Sequence, residues 1–122
     1  LCYSLPTPDA TGTTNLAATA GKVALVNSAT TLSFSCPTAA SIIDFIGYGT
    51  TANCYEGTGS APAPSNTTAD LRANSGCTDT NQNASDFSTL APSPRNSSTA
   101  LYLYPCAYII IYLSSFFIIS CL

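Results

Sequence analysis

The stretch Gly21 to Gly49, GKVALVNSATTLSFSCPTAASIIDFIGYG, constrains this chain more than any other. It reads as two half-buried strands, Val23 to Asn27 and Ile42 to Tyr48, joined by a connection rich in Ser, Thr and Ala. In the first, Val23 and Leu25 fall on one face and Ala24 and Val26 on the other; in the second, Ile43 and Phe45 alternate with Ile42, Asp44 and Ile46. This pattern predicts antiparallel neighbours with Val23, Leu25, Ile43 and Phe45 among the buried side chains. A lone hairpin is marginal in water, so other strands must cover it, and the expected fold class is all-β.

At 122 residues the chain is one domain at most. Six acidic and three basic residues give a net charge of -3, which argues against nucleic-acid binding through phosphate neutralisation. Histidine, methionine and tryptophan are absent, which removes the commonest general base and the commonest metal ligand. Cysteines stand at 2, 36, 54, 77, 106 and 121 with no CxxC spacing, so zinc is disfavoured and a disulfide-permissive, extracytoplasmic compartment fits. Full pairing of six cysteines allows fifteen connectivities, and the spacing alone leaves them open. Three Asn-x-Ser/Thr signals, at Asn66, Asn83 and Asn96, agree with surface loops.

Residues 1–21 read as loop, without the charged and apolar regions of a signal peptide, and the missing initiator Met suggests a fragment. A long connection, Thr50 to Ser65, leads to a strand at Thr68 to Ala73, in which Asp70 and Arg72 are expected on a solvated face. The most specific motif follows, GCTDTNQNASDF at Gly76 to Phe87. Asp79, Asn81, Asn83 and Asp86 are a weak candidate calcium set, because oxygen ligands at alternate residues can converge on a hard cation. The preferred reading makes the loop a run of Asx-turns, binding no metal, that delivers Phe87 to the core.

From Ser97 to Leu122 the chain carries no charge. Such a run is a membrane-span candidate through 101–122, although Pro105, the β-branched and aromatic content and the lack of a flanking cation weigh against it. Its apolar residues come in blocks rather than alternating, so the tail is expected to stand outside the sheet, helical or loosely packed.

Together, LPTPDATGTTNL (Leu5 to Leu16), GKVALVNS (Gly21 to Ser28), SIIDFIGYG (Ser41 to Gly49), NCYEG (Asn53 to Gly57), APAPSNTTADLR (Ala61 to Arg72), GCTDTNQNASDF (Gly76 to Phe87) and APSPRN (Ala91 to Asn96) resemble the lamin tail domain of secreted bacterial proteins. The resemblance implies a partial immunoglobulin-like β-sandwich over residues 5–98 that lacks its opening strands, followed by an unrelated hydrophobic tail over 99–122. It also implies a strand at Thr68 to Ala73 antiparallel to Ile42 to Tyr48, which would bring Cys36 and Cys77 together as a disulfide and leave Cys54 out of reach. Its functional implication is a non-catalytic, secreted or surface-located tethering module, accessory to a nuclease or phosphatase domain, with an unidentified protein or cell-surface partner and no cofactor. The alternatives are a small membrane-anchored surface protein and a fragment of a metal-dependent hydrolase.

Overall fold

The computed structural model describes residues 6–100 and the strand Ile118–Cys121. Among these, two antiparallel sheets are built from five strands. β1 (Gly21–Val26) is central in the first sheet, flanked by β2 (Ile42–Tyr48) and β5 (Ile118–Cys121). β3 (Ala69–Arg72) and β4 (Phe87–Leu90) form the second. Two four-residue helical turns, α1 (Ala73–Gly76) and α2 (Asn83–Asp86), lie between β3 and β4. The expected β-rich chain and the antiparallel pairing of β1 with β2 are both present.

Cross-strand register sorts the ribbon into two faces. Ala24 lies opposite Phe45, and Val23 opposite Ile46. Ala24, Val26 and Phe45 are covered by Leu32 of the β1–β2 connection, with Ile42 and Cys54 at the margin. On the other face Val23 and Ile46 pack against Tyr48, Ala61 and Phe87. Phe45 is therefore buried as expected, whereas Val23 and Leu25 are only half-buried and Ile43 is 44% exposed. Ala24, not Val23 or Leu25, shares the buried row with Phe45, and a register shift between Leu25 and Val26 explains Ile43: Leu25 faces Asp44 and Val26 faces Ile42, so Ile43 is the extra residue of a bulge and leaves the core row.

The edge of β2 is closed by loops rather than by a strand. Phe45 N donates to Glu56 Oε1 (3.3 Å), Gly47 N to Asn83 Oδ1 (2.8 Å) and Gly49 N to the Ala61 carbonyl (2.9 Å), while Ala61 N donates to the Gly47 carbonyl (2.8 Å). The long segment after β2 thus serves as edge cover, the usual answer to an unpaired row of amides. Gly47 is required by this contact, since a Cβ there would run into the Cys54 carbonyl.

Two expectations about long-range pairing are corrected. The tail is not wholly outside the sheet: Ile118 to Cys121 pair antiparallel with Val26 to Val23 as an edge strand. β-branched residues favour that role, and the second edge of β1 offers the hydrogen bonds. Residues 101–117, where a membrane span was considered, lie outside the described residues; no described helix is long and apolar enough to cross a membrane. Likewise β3 pairs with β4, not with β2, and the proposed Cys36–Cys77 bond goes with that error. Cys36 is bonded to Cys54, with Cα atoms 5.6 Å apart. The β1–β2 connection doubles back along the ribbon, so that the Ser35 carbonyl and Asn53 Oδ1 both accept from Lys22 Nζ near the far end of β2 (2.6 and 2.9 Å). Cys77 is disulfide-bonded elsewhere.

The irregular segments are tied to one another as well. Asp9 accepts from Ser97 N (2.7 Å) and Ser97 Oγ (2.6 Å), and Asn96 Nδ2 donates to the Thr7 carbonyl (3.0 Å).

Candidate functional site

Arg72, the last residue of β3, was expected on a solvated face and is instead the centre of the densest polar cluster in the described residues. Its side chain is only 11% exposed. One guanidinium nitrogen meets Asp44 Oδ2 of β2 at 2.5 Å. The other approaches Asp79 Oδ1 (3.1 Å), the Thr78 carbonyl (3.1 Å) and Asp86 Oδ2 (3.8 Å). The β3–β4 register places Phe87 opposite Arg72, and its ring centroid lies 4.5 Å from the guanidinium carbon. Planarity lets one group serve several carboxylates while stacking on an aromatic face, which a lysine could not do.

Asp86 and Asn83, the two ends of α2, fix the loop against the sheets. Both are buried. Asp86 accepts from Thr80 N (2.8 Å), Thr80 Oγ1 (2.6 Å) and Gln82 N (3.3 Å). Burial opposes its charge, but these donors and Arg72 outweigh it and hold its pKa below the ordinary value. Asn83 Oδ1 accepts from Gly47 N and Glu56 N (3.2 Å), and its Nδ2 donates to the Phe45 carbonyl (3.2 Å) and Glu56 Oε2 (3.4 Å). Its amide thereby takes the place of a neighbouring peptide group along β2.

The four residues of the calcium set are thus not brought to one point. Asp79 and Asp86 share Arg72, Asn83 faces β2, and Asn81 turns the chain at φ +54°. Asn81 N donates to Asp79 Oδ1 (3.3 Å), one Asx-turn of the expected run, whereas the Asn81 side chain accepts from no backbone amide among the described residues. Phe87 is buried, as that reading also required.

A different carboxylate group is brought together. Oxygens of Asp44, Glu56 and Asp79 lie within 4.8 Å of one another. Burial, then the charge of Asp44, raises the pKa of Glu56, with the Phe45 amide partly opposing. Three such oxygens suit a hard cation but supply only about half of the six to eight that calcium takes. Arg72 pairs with both Asp44 and Asp79, offsetting one of their two charges, and these ion pairs join β2, β3 and the α1–α2 loop. Asp44 could have been suspected from sequence, as a carboxylate inside the apolar run IIDFIGY of a chain with three cations. Glu56, in an irregular loop, gave no such signal.

A second feature lies in the β1–β2 connection. Phe34 is 86% exposed and holds φ +72°, a strained value for an aromatic residue. Its loop is pinned by Cys36–Cys54 and by the Lys22 hydrogen bonds, and it borders an open recess of ≈ 330 Å³ lined by Leu32, Phe34, Pro37 and Thr38 among others.

Comparison with family models, curated proteins and solved structures returns no match.

Proposed function

We propose that the chain is a non-catalytic interaction module of a secreted or surface protein, built on a lamin-tail-like sandwich and presenting the Phe34 loop to its partner. The observation that carries this reading is Phe34 itself, a strained and highly exposed aromatic on a covalently pinned loop. Strain held by surrounding structure clusters at functional segments, and aromatic residues, Phe among them, are enriched at protein interfaces. Support also comes from the polar cluster: its charged groups are engaged with one another rather than aimed at an open pocket. The Cys36–Cys54 bond fits an oxidising compartment.

A photoreactive phenylalanine analogue placed at position 34 tests the reading. Irradiation of the culture that makes the protein should give a discrete adduct, absent when the same group stands at exposed Thr58. Identical patterns at both positions, or no adduct at 34, would overturn it. Phosphodiester cleavage by the purified chain that disappears with Asp44→Asn and Asp79→Asn would favour the hydrolase alternative instead.

A further inference from the structure

We propose that Asn66 is the acceptor of an N-linked glycan, and that Asn83, which carries the same acceptor signal, is closed to modification once the protein has folded. The inference rests on the extracytoplasmic reading above. The three signals, Asn66-Thr67-Thr68, Asn83-Ala84-Ser85 and Asn96-Ser97-Ser98, all satisfy the acceptor pattern, the first with Thr and the others with Ser at the third position. The fold makes them unequal.

Transfer joins the side-chain nitrogen of Asn to C1 of an oligosaccharide carried on a polyprenyl diphosphate. The N–C1 bond forms as the C1–O bond to diphosphate breaks, the nitrogen loses one proton to a base on the transferase, and the polyprenyl diphosphate departs with the bonding electrons. The acceptor nitrogen must therefore be accessible, and the product must have room for a large polar group.

Asn66 meets both conditions. It is exposed in the turn before β3, and its amide makes no hydrogen bond among the described residues. The turn is held instead by its neighbours: Ser65 N donates to Thr68 Oγ1 (2.9 Å), Thr67 N to Ser65 Oγ (3.2 Å) and Thr68 N to the Ser65 carbonyl (3.4 Å). A glycan there would leave every one of these bonds in place. Asn96 ranks behind it, being half-buried with its Nδ2 donating to the Thr7 carbonyl.

Asn83 fails both conditions. It has no exposed surface, and its Nδ2 is committed to the Phe45 carbonyl and Glu56 Oε2. A sugar on that nitrogen cannot be accommodated against β2. Transfer at Asn83 must precede folding and then prevents it, so two outcomes compete for each new chain.

The test directs the full chain, by an added secretion signal, into the lumen of a glycosylating eukaryotic cell, and analyses secreted and retained pools separately. Amidase release of glycans in oxygen-18 water converts each occupied Asn to labelled Asp, read by peptide mass spectrometry. Label is expected at Asn66 in the secreted pool, with none at Asn83 there. Asn66→Gln should remove one glycan step on a gel. Ser85→Ala removes the second signal while keeping the Asn83 amide, and should raise the secreted fraction; exposed Ser85 gives up only its bond to the Gln82 carbonyl (3.2 Å). Absence of label at Asn66 from both pools, or label at Asn83 in secreted protein with Cys36–Cys54 formed, overturns the proposal. The added signal makes this result independent of where the protein naturally resides, which the redox state of Cys36 and Cys54 in the producing cell reports separately.

Discussion

At residue scale, Arg72 and Asp70 make opposite forecasts although they stand two positions apart on β3. Removing the guanidinium with Arg72→Met leaves Asp44 largely buried without its partner, and breaking such a pair costs about 3 kcal/mol. Urea midpoints should show that loss, and Arg72→Met combined with Asp44→Leu should recover most of it. Equal losses in the single and double variants would show that Asp44 is not what Arg72 stabilises. Both Asp70 oxygens are buried without a hydrogen bond among the described residues, and burial raises the pKa above its ordinary 3.8. A carboxyl that holds its proton more tightly when folded lowers stability as pH rises from the unfolded-state value through the raised native one. Asp70→Asn should therefore raise the melting temperature at pH 7 and leave it unchanged near pH 3. Asp86 has the opposite sign: its contribution is present above the unfolded value and is lost as pH falls through the depressed native pKa. The role of Arg72 was hidden in the sequence because Asp70 and Arg72 at alternate positions look the same on a solvated strand as on a paired one. Asp44, the partner that distinguishes the cases, is 28 residues away.

At the scale of elements, alternation made β1 and β2 legible, while the covers of their edges came from segments without any period. Asn83 is the clearest example. Asn83→Ala would strand Gly47 N, Glu56 N and the Phe45 carbonyl, at a cost of about 2–3 kcal/mol, visible as a lower denaturation midpoint with unchanged slope. The loop motif containing it was legible as turn chemistry, but not as a partner for β2, since nothing local encodes a contact across 36 residues. β5 gives a matching test at the other edge. Ending the chain at residue 117 should abolish hydrogen-exchange protection at the β1 amides that face β5 and spare those that face β2. Uniform protection in both forms would show that β5 contributes nothing to the edge.

At the scale of the whole molecule, the Cys36–Cys54 bond closes a loop with a sequence separation of 18, which in the chain-entropy account stabilises the fold by about 3 kcal/mol. Cys36→Ser with Cys54→Ser should lower the melting temperature accordingly, and reductant should lower that of the parent by more than that of the variant, which keeps only the bond made by Cys77. All of β2 lies within that loop, so the central hairpin of the protein is partly a covalent ring. A protease that nicks the exposed backbone at Thr38 to Ala40, or at Thr50 and Thr51, cuts the ring without dividing the molecule. The nicked protein keeps its mass apart from one added water, migrates as one species, and separates into two pieces only when the sulfurs are reduced.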